Sequence, residues 1–145
     1  MAALQERGAP AMEEVDCMVV ITQNPGVQIP HLSARLHGLL GLRESCACFD
    51  ISLGCSGYVY GLAAVQAFML THGLRHGLLL TADPYSPIIN AADKNTALLF
   101  GDAATCTWIG PEPLLTSGRF TFGTMGIDHA ELTCPPGGHL SMNGR

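Results

Sequence analysis

The run from Tyr58 to Thr71 contains no charged residue, and it constrains the fold more than any other stretch of the chain. Its length and its lack of a polar face predict a helix that is covered on all sides. Such a helix is best accommodated between two sheets. Ala47 to Ile51, just upstream, predicts a short buried strand. Gly54 and Gly57 flank Cys55 between strand and helix and permit a tight turn with close backbone approach. A cysteine at the first turn of a helix faces unpaired N–H groups and the positive end of the dipole. Both favour the thiolate of a group whose ordinary pKa is about 8.5. The same N–H groups can hold a developing oxyanion on a thioester carbonyl. From the residues alone, two readings of Cys55 stand: a buried structural cysteine, or an activated nucleophile.

The rest of the chain supplies strands for that helix to pack on. Val15 to Thr22 is continuously apolar rather than alternating, as expected of a strand covered on both faces. Gln23 to Pro30 predicts a loop, and His31 to Leu40 an amphipathic helix with Leu32, Leu36 and Leu39 or Leu40 on one face. Gly77 to Ala82 predicts a strand closed by Asp83-Pro84, followed by a loop over Tyr85 to Thr96. Ala97 to Phe100 and Ala103 to Ile109 predict two strand pieces around Gly101-Asp102. Ala2 to Glu14 predicts the last turns of a helix and a linker. Pro111 to Arg145 is rich in glycine and proline, with one strand expected at Leu114 to Phe122. Strands separated by helices imply parallel crossovers and a layered α/β sheet. The 145 residues fit one domain, yet hardly supply two full sheets around one helix. The expectation is therefore a chain that forms part of something larger.

Composition excludes several function classes. Charged residues make up only 13% of the chain, net charge is −5 and Lys94 is the single lysine, which argues against a nucleic-acid or anionic-membrane surface. No run approaches the roughly 18 apolar residues of a membrane helix. The N-terminus lacks the basic and apolar sections of a signal peptide, so a cytoplasmic protein is expected. Of the six cysteines, Cys17, Cys48 and Cys106 fall inside apolar strands, where reduced cysteine is an ordinary small hydrophobe. The remaining spacings include Cys46-x-Cys48 but no Cys-x-x-Cys pair. His72 and His76 are separated by Gly73, which is expected to end the helix. No metal site is expected.

The segment Asp50-Ile51-Ser52-Leu53-Gly54-Cys55-Ser56-Gly57-Tyr58 resembles the active-site segment of the 3-oxoacyl-(acyl-carrier-protein) synthase III family, in the thiolase superfamily. The likeness continues through Thr81-Ala82-Asp83, Asp93-Lys94-Asn95-Thr96 and Phe100-Gly101-Asp102-Ala103-Ala104, and back to Gln28-Ile29-Pro30-His31-Leu32-Ser33-Ala34. It covers nearly all of Val15 to Arg145. The resemblance implies about one half of a thiolase-like α-β-α-β-α layered sandwich, with residues 1–145 as a partial N-terminal domain lacking the opening strand and helix. Leu140 to Gly144 would lead into a second half. The helix after Cys55 would be the central-layer helix, which meets the covering requirement.

The activity implied is an acyltransferase of fatty-acid or related acyl-chain biosynthesis. Cys55 would take an acyl group from acyl-coenzyme A as a thioester, splitting one hard condensation into two easier steps. Malonyl-carrier protein would lose carbon dioxide, and its carbanion would attack that thioester. No cofactor is implied beyond acyl-coenzyme A as substrate, and the full-length protein would be a homodimer. The histidine and asparagine that the family uses in the second step come from the second half, and none of the six histidines here sits in a matching motif. The resemblance aligns Lys94 with a basic position that helps hold the coenzyme A nucleotide; a solvated loop lysine is the alternative. It aligns Ile29 with a loop residue that closes the acyl pocket across the dimer; an ordinary loop apolar residue is the alternative. Gly101, Asp102 and Ala103 would form a structural turn, and His31, His37, His129 and His139 surface or capping residues. Against the enzyme stands a non-catalytic fragment or interaction subunit of a thiolase-fold protein, supported by length alone. A thiol hydrolase would need a histidine base beside Cys55, and the sequence places none there.

Overall fold

In a computed structural model, which describes residues 4, 6 and 8–142, the chain forms one mixed sheet with a helix on each face. Strands β1 (Cys17–Ile21), β2 (Ala47–Ile51), β3 (Gly77–Asp83) and β4 (Ala103–Ile109) lie in the order β2-β1-β3-β4. β1 runs parallel to both β2 and β3, whereas β3 and β4 are antiparallel. Helices α1 (Leu32–Leu40) and α2 (Gly57–His72) connect the parallel strands, and a short α3 (Lys94–Ala97) lies between β3 and β4. Short 3-10 turns occupy Met12–Glu14, Ser86–Ile88 and Gly126–Asp128, and β5 (Leu132–Thr133) pairs with β6 (Ser141–Met142).

The apolar run at β1 is explained by two cores, one on each face. Met18 and Val20 face a cluster with Val15, Leu42 and Leu78, against which Leu32, Leu36 and Leu40 of α1 pack. Cys17, Val19 and Ile21 point the other way, to Val65 and Met69 of α2 and to Leu79. Each such valine or leucine stabilises the fold by about 1.5–3 kcal/mol. All five residues of β1 are buried, so neither face tolerates a polar group.

α2 meets the sheet through Gly57, Gly61, Val65 and Met69, at helical spacing. Gly61 is required there because a Cβ would come within 2.2 Å of Ile21 Cδ1 and 3.0 Å of Leu79 Cδ1. The opposite face of α2 holds Val59 at 46% exposure and Leu70 at 85%, whereas Tyr58 stays on the sheet side, its hydroxyl 3.3 Å from Thr107 Oγ1 of β4. Cover for α2 on that side is therefore partial: Tyr60 meets Phe122 at 4.8 Å between ring centroids and donates to the Gly123 carbonyl at 3.1 Å. Gly73, with φ 65°, ends α2 at His72 and leaves His76 beyond it.

Two strand expectations are corrected. Lys94–Ala97 is a helical turn, continued by hydrogen bonds from the Leu99 and Phe100 N–H groups to the Thr96 carbonyl, so Ala97 to Phe100 is not a strand. Asp93 sets this turn by capping the Asn95 N–H and the Thr96 hydroxyl, which outweighs the apolar composition of the next residues. Leu114 to Phe122 is irregular, with a bend at Leu114 and Leu115, and pairs with no strand among the described residues. Its contacts are with α2, including a Ser117 hydroxyl donating to Gln66 Oε1 at 2.8 Å, and Leu114 and Leu115 are 99% and 90% exposed. Ala2, Ala3, Gln5 and Arg7 of the expected N-terminal helix end, Asn143 and Gly144 of the expected leading-on segment, and the terminal Met1 and Arg145 lie outside the described residues.

Two carboxylates tie helices and loops to the sheet. Asp50 of β2 accepts the Leu32 N–H at 2.7 Å and the Ser33 N–H at 2.9 Å, capping α1 from the neighbouring strand. Burial raises its pKa, but the Ser33 hydroxyl, these N–H groups and His31 outweigh burial and hold it below 3.8. Asp16 behaves alike: burial raises it, whereas the His76 and Arg75 N–H groups and the charge of Arg43, with which it forms an ion pair, lower it. A folded-state pKa below the unfolded value stabilises the protein above that unfolded value, and the gain is lost as pH falls through the folded pKa. The denaturation midpoint is thus expected to hold from neutral pH to about 5 and to fall below about 4. Asp50→Asn should lower stability at pH 7 by about 1–2 kcal/mol and flatten that acid slope. Urea denaturation of both proteins across this pH range checks it.

Candidate active site

The site candidates lie in connections that follow parallel strands. Ile29 is in the loop after β1, Cys55 in the turn after β2, and Lys94 begins α3 in the connection after β3. Because β1, β2 and β3 are parallel, these connections leave the same edge of the sheet. The carboxyl edge of such a sheet is where ligands bind in open α/β folds. An open cleft of about 520 Å³ lies at this edge, walled by Asn24, Leu32, Ala82, Asp83, Asp102 and Ala104. Cys55 does not line it.

Cys55 sits in a turn closed by the Gly57 N–H donating to the Gly54 carbonyl at 2.8 Å. Ser56, its neighbour, is the N-cap of α2 and makes no side-chain cap. The glycines are explained by what they touch. A Cβ on Gly54 would lie 2.4 Å from Gln23 Oε1, and one on Gly57 would lie 2.6 Å from Ile21 Cγ2. The turn is therefore pressed onto the end of β1 on both sides of the cysteine. Cys55 is exposed, as is Cys134, whereas Cys17 and Cys46 are buried. Burial pushes the Cys17 thiol up to about 11 and the Cys46 thiol up to about 12. Of the cysteines at the sheet, Cys55 has the access that a nucleophile needs.

Ile29 is 89% exposed, and Lys94 is also exposed. Histidines expected to cap or lie at the surface do so: His31 is the N-cap of α1 and accepts the Ala34 N–H at 3.2 Å, and His37 bonds the Arg43 carbonyl at 2.9 Å. Asp102 is structural in the same sense, accepting the Ser86 N–H at 2.7 Å, and that bond leads the effects holding its carboxyl below the usual value. Among the described residues no group of three or more His, Cys, Asp or Glu converges as a metal site. Nor is any helix of the described residues long and apolar enough to cross a membrane.

Two further residues belong to this edge. Tyr85, two residues after Asp83, has its phenol held above its ordinary pKa, by burial first and then by Asp83 and Cys55. Asp83 Oδ1 accepts the Thr22 hydroxyl at 2.9 Å and the Gln23 N–H at 2.8 Å. Two sequence signals mark Asp83, its place at the end of an apolar strand before proline and its part in the Thr81-Ala82-Asp83 likeness, and neither says anything of partners 60 residues away.

The profile of the family described as 3-oxoacyl-[acyl-carrier-protein (ACP)] synthase III matches residues 49–126, more than half of the chain. The chain belongs to this family. A β-ketoacyl-[acyl-carrier-protein] synthase III of Caldanaerobacter subterraneus subsp. tengcongensis is 41% identical over 98 residues, covering 68% of this chain and 29% of the relative. The enzyme of that name from Oceanobacillus iheyensis is 31% identical over 149 residues, covering 100% of this chain and 46% of its own length. A 2.1 Å crystal structure of a 3-oxoacyl-(acyl-carrier-protein) synthase III superposes with a TM-score of 0.86 at 32% identity, covering 99% of this chain and 50% of that one. The chain thus has the family's thiolase-like α/β fold and spans half or less of the length of these relatives.

Proposed function

We propose that the protein carrying this chain is a condensing acyltransferase of acyl-chain biosynthesis with Cys55 as its nucleophile. The observation that carries this is an exposed cysteine in a glycine-flanked turn at the start of α2, within the family's matched region. In the first step the Cys55 sulfur attacks the acyl-coenzyme A carbonyl, a new S–C bond forms, and the bond from the acyl carbon to coenzyme A breaks. Coenzyme A leaves as a thiol with the proton that Cys55 gives up. In the second, malonyl-carrier protein loses carbon dioxide, its carbanion forms a C–C bond to the acyl carbon, and Cys55 departs as thiolate. The histidine and asparagine of that step belong to a C-terminal half for which residues 1–145 are the N-terminal partner.

Lys94 would meet the coenzyme A nucleotide as a point charge, without the stacking plane of an arginine. Ile29, exposed on its loop, would close the acyl pocket of a second copy in a cytoplasmic homodimer. The alternative, a non-catalytic interaction subunit, draws on the exposed outer face of α2, where Leu70 is 85% accessible. Coenzyme A release separates the two. With acyl-coenzyme A alone, the native polypeptide should release close to one equivalent of coenzyme A per chain, then stop. A folded protein that releases none would support the interaction subunit.

A further inference from the structure

One carboxylate oxygen beneath the site holds three donors. Asp83 Oδ1 accepts from the Thr22 hydroxyl (2.9 Å), the Gln23 N–H (2.8 Å) and the Asn24 N–H (3.3 Å). The Thr22 hydroxyl also accepts from the Asn24 N–H at 3.1 Å, and Asn24 Nδ2 donates to the Pro84 carbonyl at 2.6 Å. Thr22 is only 3% exposed, so removing its acceptor would strand a buried hydroxyl. The end of β1 and the end of β3 are therefore locked together at Gln23. Gln23 is exposed, yet its carboxamide lies against Gly54, in the space that a Cβ there would occupy. The contacts run from Asp83 to the backbone at 22–24, to the Gln23 carboxamide, to Gly54, and so to the next residue, Cys55.

We infer that Asp83 is a positioning residue for Cys55, acting through Gln23, whose carboxamide is the seat of the Gly54–Cys55 turn. This rests on the proposed role of Cys55 as nucleophile. Neither residue has to meet the acyl group; both fix where the sulfur stands relative to it. Attack needs the sulfur about 3–3.5 Å from the carbonyl carbon and aligned with it, and a displacement of about 1 Å can cost on the order of 100-fold.

The test compares the native polypeptide with Gln23→Ala, Asp83→Asn and Asp83→Ala. Three quantities are read: kcat and KM for acyl transfer from acyl-coenzyme A, and the rate at which iodoacetamide alkylates Cys55. Positioning predicts kcat lower by about 10- to 100-fold in Gln23→Ala, with KM and alkylation within about twofold. Asp83→Asn, which keeps a carbonyl oxygen as acceptor, should lose less than Asp83→Ala. Gln23 is an exposed residue, so Gln23→Ala decides the matter even if the Asp83 variants are too unstable to assay. A folded Gln23→Ala protein with kcat within twofold of the unaltered enzyme overturns the inference. A parallel fall in alkylation also overturns it, because that marks loss of the turn rather than of alignment. If the unaltered protein acquires no acyl group on Cys55, the nucleophile assignment fails, and the positioning role fails with it.

Discussion

Gly57→Ala is expected to destabilise the protein by about 1–3 kcal/mol, and Gly57→Val by more, with loss of Cys55 acylation in both. The new Cβ would stand 2.6 Å from Ile21 Cγ2 and 3.3 Å from Leu53 Cβ. Neither atom can move aside cheaply. Ile21 is β-branched, stiff at χ1, and 2% exposed at the end of β1. Leu53 Cβ is fixed to its own backbone. The clash is relieved only by lifting the first turn of α2, which takes the Cys55 turn with it. Gly54→Ala offers the contrast. Its obstacle is the Gln23 carboxamide, the end of an exposed side chain, so stability should fall by less than about 1 kcal/mol, while displacing that carboxamide should lower kcat as Gln23→Ala does. Combining Gly57→Ala with Ile21→Ala should cost less than the sum of the two, because the second change removes the methyl that the first one strikes. Chemical denaturation of the four proteins measures this. A Gly57→Ala protein within about 0.5 kcal/mol of the original would mean that α2 is not seated as described.

The second large effect concerns Cys55 itself. Cys55→Ala should lower acyl transfer by on the order of 1,000-fold or more, as expected when a covalent nucleophile is deleted. Cys55→Ser should be nearly as inactive, since the acylated atom is then a hydroxyl, which ionises far less readily than a thiol at neutral pH and is the weaker nucleophile. Stability should scarcely change in either case, because the side chain is exposed and fills no cavity. The buried cysteines cannot substitute. With thiols pushed up to about 11 at Cys17 and about 12 at Cys46, almost no thiolate exists at neutral pH. Steady-state assay of both variants, with circular dichroism to confirm folding, checks the pair of expectations. Retained turnover in Cys55→Ala would remove the residue from the chemistry.

Most of the sheet was legible because its strands are apolar on both faces and bounded by strong punctuation. Ala47–Ile51 and Ala103–Ile109 match the expected bounds, and the helix read at Tyr58 to Thr71 gains one residue at each end. The errors have a common physical origin. At Ala97 to Phe100 and Leu114 to Phe122 the residue types suit a strand, yet a strand also needs a neighbour to bond with. In the first, the Asp93 cap commits the backbone to a turn; in the second, contacts with α2 replace the missing ladder. Composition cannot distinguish these outcomes, because the deciding partners are distant in sequence. The site divides in the same way. Cys55 was recognisable from its flanking glycines, which report local backbone demands. Gln23 carries no such signal, and the motif that includes Asp83 does not tell of the bonds between the ends of β1 and β3 that only the folded sheet brings together.

The central claim is that Cys55 takes the acyl group. Its most direct measurement is peptide-level mass spectrometry of the native polypeptide after brief exposure to acyl-coenzyme A. One acyl mass is expected on the peptide containing Cys55, released by neutral hydroxylamine as a thioester must be, and absent from Cys55→Ala. A folded protein bearing no acyl group, or one acylated at the other exposed cysteine, Cys134, would contradict it.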